Sequence, residues 1–362
     1  MKRVPRIPAL LAPIAALLLI GAGAARDTPP VPPTAASADS LIRTGETHFE
    51  HLWQLTFAGQ NAEAYWSADG KKLILQSTRD GWPCDQEFVF DLVSGDLKRV
   101  STGKGRTTCG YFYDHDRRIL FSSTHLEGDS CPPTPDYSKG YVWRVDPGYD
   151  IFTALPDGSD LKRLTDAPGY DAETTVSTDG RWFLFTSDRD GDLELYKMHP
   201  DGGGLVRLTN TPGYDGGAFF SRDGAWICYR ASHPADSAGI AADHALLAQN
   251  LVRPTAMDLW VMKSDGSGAH RITSLPGASF APYFTPDGKR IIFASNYENP
   301  HGRNFDLYLV SRDGGEATPV TRDPTFDAFP MFSPDGKWLS FSSNRGGKVQ
   351  GETNLFLARW RP

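Results

Sequence analysis

Between residue 48 and the last residues of this chain, apolar and polar positions alternate in short runs broken by Gly, Pro, Asp and Asn. A period of two marks a half-buried β-strand, and the breaks are turn chemistry. Phe329 to Arg345 gives the unit. An apolar run leads to the turn Ser333-Pro334-Asp335-Gly336, then to an alternating strand ending Ser342-Ser343-Asn344-Arg345. Proline presets φ near about −65° at the second turn position, and glycine accepts a positive φ at the fourth. The same phrase stands at Ser67-Ala68-Asp69-Gly70, Ser177-Thr178-Asp179-Gly180, Ser221-Arg222-Asp223-Gly224 and Thr285-Pro286-Asp287-Gly288, with a degraded copy at Tyr113-Asp114-His115-Asp116. The first residues of successive copies are 46, 64, 44, 64 and 48 positions apart, and self-similarity at such a period signifies a repeat architecture.

The third copy divides most cleanly. A first strand, Ala172 to Ser177, turns into a second, Arg181 to Ser187. A third runs from Leu193 to His199, and Asp201-Gly202-Gly203 leads into a fourth, Leu205 to Thr209. Six radial copies of four antiparallel strands predict an all-β fold, a six-bladed β-propeller whose ring protects its sheet edges. The sixth copy stops after its third strand, Asn354 to Arg359. The pattern of the missing fourth strand, as in Leu205-Val206-Arg207-Leu208-Thr209, recurs ahead of the first copy as Leu52-Trp53-Gln54-Leu55-Thr56. The N-terminal strand is therefore expected to complete the last blade and close the ring. Ala241 to Val252, the one long helical candidate, reads either as an amphipathic helix docking a partner or as a segment packed on its own loop.

Composition changes the picture at the N-terminus. Lys2, Arg3 and Arg6, an apolar run from Ile7 to Ile20, and Ala22-Gly23-Ala24 read as a cleavable export signal over residues 1–24. Pro8, Pro13 and the short span disfavour a retained anchor. Residues 25–47, with Pro29-Pro30-Val31-Pro32-Pro33, read as a Pro-rich linker, and residues 48–362 as the propeller. Losing three basic residues with the signal takes the formal charge from −7 to −10. Such a surface does not seek phosphate backbones, so nucleic acid is excluded as a partner, and no stable membrane insertion is expected after cleavage. Export places the four cysteines in an oxidising compartment. Cys131 is the expected disulfide participant, with Cys84 or Cys109 as its partner, while Cys228 reads as core.

A repeat shows its function where the copies differ. Connections from second to third strand share one end of the ring with those between blades; the short hairpin turns share the other, which reads as featureless. From the end of the second strand to the residue opening the third, the copies take 10, 27, 7, 27, 11 and 11 steps. The two long loops, Thr124 to Tyr149 and Ser232 to Met257, should lean together over the channel mouth. Two positions past the second strand stand Arg79, His125, Arg189, His233, Tyr297 and Arg345, so histidine occurs only beside a long loop. The arginine reads as a tie to the acid opening the third strand (Glu87, Glu194). The imidazoles read either as satisfied within their own loops or as ligand-facing acid, base or metal ligand.

Two further columns sit near that mouth. Six positions before the turn stand Asn61, Thr107, Asp171, Asp215, Ser279 and Asp327, a structural cap in which Asp accepts backbone N–H bonds. Four before it stand Glu63, Cys109, Glu173, Gly217, Ala281 and Phe329, and the first three should face the channel. Convergent acids near histidines suit a divalent cation or an acid–base pair; a solvated polar rim is the plain alternative. A Cys/His zinc site using His125 lacks regular ligand spacing. The candidate ligand- or partner-binding set is His125, His233, Glu63, Glu173, Cys109, Asp171, Asp215 and Tyr297.

The S-P-D-G turn, the Ser-x-Arg exit, the D-L-Y third strand, the D-G-G hairpin and the R-L-T fourth strand together resemble the PD40 (WD40-like) repeats of TolB-like propellers, over about residues 48–360. The resemblance implies a six-bladed ring in the periplasm, here without the α/β domain that precedes the TolB propeller. Related blades also form the propellers of prolyl-oligopeptidase-like enzymes and oligogalacturonide lyases, but this chain has no G-x-S-x-G elbow. The expectation is a monomeric periplasmic scaffold, without cofactor, that recognises a protein, peptide or envelope component on its long-loop face. The alternative is a metal-assisted lyase or hydrolase at the channel mouth, using His125, His233, Glu63 and Glu173 with a divalent cation. A non-catalytic binder of sugars or small ligands, served by the loop aromatics, is a third reading.

Overall fold

The computed structural model describes Met1 and residues 30–79, 81–138 and 140–362. The expected export signal lies almost wholly outside the described residues. Six antiparallel sheets stand around a central channel; five are four-stranded and run from an inner to an outer strand in chain order. Blade 3 is typical: Asp171–Val176, Phe183–Ser187, Glu194–Met198 and Val206–Arg207. Blade 6 takes its fourth strand from the N-terminus, where Phe49–Gln54 pairs with Asn354–Trp360 in the register Leu52↔Ala358 and Gln54↔Phe356. The ring is thus closed by its own first strand.

The turn phrase repeats because each residue in it has a task. Ser177 Oγ donates to Asp179 at 2.7 Å and accepts from Trp182 N at 2.9 Å, and Gly180 takes φ +70°. The Ser221–Asp223, Thr285–Asp287 and Ser333–Asp335 pairs repeat this at 2.5–2.6 Å. Middle strands such as Phe183–Ser187 and Trp338–Ser343 are buried along their whole length. Both faces of each sheet pack against neighbouring blades, so these strands bury polar positions such as Ser340 and Ser342 along with the apolar ones.

Part of the segment read as a linker is structural. Ala36–Ser37 adds a fifth strand to blade 6. Glu46 is buried and accepts from both terminal nitrogens of Arg345, at 3.1 and 3.0 Å. Residues 36–47 therefore belong to the last blade, because the buried Arg345 needs a second acid beside Asp327. The helix spans Ser237–Leu247, four residues earlier than the pattern suggested, capped by Asp236, whose side chain accepts from Gly239 N.

Candidate functional site

The column four positions before each turn is where every inner strand breaks its ladder. Register shifts fall at Ala62/Tyr65, Thr108/Tyr111, Ala172/Thr175, Gly216/Phe219, Phe280/Tyr283 and Ala328/Met331. In each case the bulged residue is left-handed: Glu63, Cys109, Glu173, Ala281 and Phe329 lie at φ +49° to +59°, and Gly217 at +56°. A bulge re-aims a side chain, and left-handed backbone at non-glycine residues stores strain. Glu63, Cys109 and Glu173 are brought together by it, as the sequence suggested.

Arg230, which the sequence reading missed, completes the cluster. Its Nη2 donates to Glu173 Oε1 and to Tyr214 OH, the latter at 2.6 Å, and Tyr214 OH donates to Glu173 at 3.0 Å. Glu173 also accepts from Thr186 Oγ1 at 2.8 Å and from Gly217 N at 2.7 Å. The signal was present. Gly217 is the one bare member of its column, and a Cβ there would meet Arg230 Nη1 at 2.0 Å. Arg230 in turn stands where the other blades carry Gln76, Ser122, Thr186, Ala294 and Ser342.

Charge is shared unevenly along this arc. Glu173 has the guanidinium, whereas Glu63 keeps Tyr65 OH at 3.2 Å and the Cys109 thiol. Burial raises the Glu63 carboxyl above its ordinary range despite Cys109 and Arg230. Burial, and then the two glutamates, also push the Cys109 thiol well up, which keeps it a thiol rather than a nucleophilic thiolate.

The arginine column ties differently from the sequence expectation. Arg189 donates to Asp171 at 2.7 Å and Arg345 to Asp327 at 2.8 Å, while Glu194, its expected partner, takes Arg207 at 2.7 Å. Asp171 and Glu194 both stand opposite Ser187, one on each side, and Arg207 of the fourth strand takes Glu194, which leaves Asp171 to Arg189. His233 occupies the arginine's place in blade 4, with Nε2 2.9 Å from Asp215 Oδ1. Burial opposes protonation of His233, but the bond and charge of Asp215 outweigh it and raise its pKa. His125 sits 2.8 Å from Ser123 Oγ and packs on Phe152, its pKa lowered by burial and by Lys104. Tyr297 packs on Tyr308. His125, His233, Asp171, Asp215 and Tyr297 thus serve their own blades. Among the described residues, no three His, Cys, Asp or Glu side chains are grouped to hold a metal ion.

The two long loops meet. Trp143–Arg144 and Leu251–Val252 form a two-stranded antiparallel ribbon joining blade 2 to blade 4. Trp143 reaches Phe280 of blade 5 and lies over Arg230, whose Cζ is 5.2 Å from its ring centre. Cys84–Cys131 bonds the blade 2 loop to blade 1, leaving Cys109 a buried free thiol. The ribbon and the helix leave about 20 Å³ between Trp143, Tyr214 and Leu247, room for about one water. Outside, Tyr137 and Tyr141 are each 45% exposed and stacked at 5.8 Å, with Arg303 over Tyr141.

The hairpin-turn end, read as featureless, holds instead a funnel of about 730 Å³ walled by all six blades. Midway along the channel, Tyr65 touches Tyr111 and Phe219 at 5.5 Å, and Phe219 touches Tyr283 at 5.3 Å. These rings form a waist that parts the Glu63–Glu173–Arg230 cluster from the funnel.

The architecture defines a closed six-bladed propeller of short repeats with one elaborated end. Residues 252–351 match the family model described as the TolB beta propeller domain, PD40. It is similar to a TolB-type structure from Agrobacterium tumefaciens at 20% identity and TM-score 0.54, covering 84% of this chain and 91% of that one. It is also similar to TolB from Acinetobacter baumannii at 18% identity and TM-score 0.54, over 75% of this chain and 62% of that one. An oligogalacturonate lyase from Vibrio parahaemolyticus aligns at 12% identity and TM-score 0.51, over 90% and 96%. At these identities the likeness is one of fold.

Proposed function

We propose that this protein is an exported binding scaffold of the periplasm, which recognises a protein, peptide or envelope component on its long-loop end. The observation carrying this reading is the joined pair of loops. They are fixed to three blades by a ribbon and a disulfide, and they present Tyr137 and Tyr141 outward, with Arg303 of the blade 5 connection over Tyr141. Rigid aromatic side chains beside arginine are the composition of interface hot spots. The TolB-like fold, and the lack among the described residues of a helix long and apolar enough to cross a membrane, agree with it. Binding is favoured over hydrolysis or lyase chemistry because His125 and His233 are each engaged by groups of their own blade.

The test is site-directed photo-crosslinking in intact cells, with the probe at position 141 or, on the opposite end, at position 222. A discrete adduct from position 141, lost when Tyr137 is changed to Ala, supports the scaffold. Adducts only from position 222 would sink it.

A further inference from the structure

The turn-end funnel is a second site, separate from the loop end and closed off from it by the aromatic waist. Its floor is preformed: Tyr111, Phe219 and Tyr283 come from three blades, contact one another directly or through Tyr65, and are joined by Met331 of blade 6. At about 730 Å³ it lies within the range of small-molecule sites, roughly 300–1,000 Å³.

Its upper wall is acidic. Asp114, Asp116, Asp179 and Asp201 line it with Arg222 and His115, and Asp114 and Asp179 are each ion-paired at the rim, to Arg117 and Arg181. These carboxylates are fixed before any ligand arrives. Asp179 accepts from Ser177 Oγ, Arg181 N and Arg181 Nε, Asp114 from Arg117 Nη2, Asp201 from Gly203 N at 2.9 Å, and Asp116 from Ala68 N and Asp69 N at 2.7 and 2.9 Å. A carboxylate offers about four acceptor sites, so capacity remains beyond those bonds. Blade 2 departs from the repeat here. It lacks the turn glycine and places Asp114, His115 and Asp116 in succession at φ +53°, +55° and +64°, which sets two carboxylates on the wall from a single turn, whereas blade 3 draws its two from two turns and the other blades set none.

An aromatic floor attracts a cation through the negative faces of its rings, and fixed carboxylates above it attract the same charge. We propose that the funnel binds an organic cation with an apolar or aromatic body. The ammonium or guanidinium sits among the wall aspartates and the body lies on the rings. The cation is either a free amine or the side chain of a basic peptide; the recognised chemistry is shared.

Isothermal titration of the whole protein at low salt tests this with three probes: phenethylammonium, its uncharged match 2-phenylethanol, and an arginyl-phenylalanine amide. The expected result is one-to-one binding of a cationic probe about tenfold or more tighter than 2-phenylethanol, weakening as salt is added. Binding of the amine points to free cations and binding of the dipeptide alone to peptide side chains; either supports the site. Asp114→Asn with Asp201→Asn, which keeps the turn-holding oxygens, should weaken binding about tenfold at an unchanged melting temperature. Tyr283→Leu, which keeps the floor apolar, should weaken it by a factor of a few. Tyr137→Ala should leave it unchanged, so this site and the loop-end reading fail separately. Equal affinity for 2-phenylethanol, indifference to the double Asn variant, or no cationic binding at millimolar concentration would overturn the proposal.

Discussion

The two ends of the channel solve the same geometric problem in opposite ways. At the loop end the repeat is broken, and the breaks cover the mouth: a ribbon from blades 2 and 4 lays Trp143 over Arg230, and about 20 Å³ remains between Trp143, Tyr214 and Leu247. At the turn end the repeat is kept almost intact, and the mouth stays open over about 730 Å³. Elaboration here covers the channel, and the space it adds, about 430 Å³ between Thr124, Cys131 and Arg144, lies within the blade 2 loop itself.

The comparison is broken most directly at Arg230. Arg230→Ala leaves Glu173 buried without its cation and should destabilise the fold by about 3–5 kcal/mol, read by urea denaturation. Trp143 loses its stacking partner, so hydrogen exchange should rise at Trp143–Arg144 while the turns at Gly180 and Gly336 stay protected. If both ends loosen alike, the ends are not independent.

Cys84→Ser tests the same end from outside. The bond spans 47 residues, and releasing it should lower stability by about 2–4 kcal/mol, with faster exchange confined to the blade 2 loop. No change in stability would show that the ribbon alone holds the loop.

The smallest effect expected is at Glu63. Its folded pKa is raised, by burial first, so the folded state holds a proton more readily than the unfolded chain. The stability linked to it is therefore present below pH about 4.5 and lost as pH rises through the raised value. Glu63→Gln should be more stable than the parent at pH 7 and no more stable at pH 4. Equal gains at both values would refute the assignment.

The fold was legible because a repeat states its plan six times, and ring closure followed from one missing strand and one spare. The meeting of the loops was legible from their length and position. The ribbon was not, since two paired residues such as Leu251–Val252 carry no periodicity. The helix slipped because Asp236 as a cap outweighed the apolar run, and because Asn250 turns left-handed at φ +58° to send Leu251–Val252 into the ribbon. The arginine tie was misassigned because Glu194 and Asp171 flank the same Ser187, and the competing Arg207 that claims Glu194 comes from the fourth strand. Cys109 and the glutamates were found as a column, but their bulge was invisible. Left-handed Glu, Cys, Ala and Phe have no signature comparable to glycine.

Closure by the chain's own beginning has a consequence for biogenesis. Leu52 can settle only against Ala358, and Glu46 only against Arg345, 299 positions away. The earliest segment to emerge must therefore wait for the latest. Until synthesis is complete, the flank of the final sheet stays unsatisfied, and such distant pairing makes assembly slow. A truncation that spares five whole blades but trims the last few residues should leave a sticky, open fan rather than a slightly smaller ring.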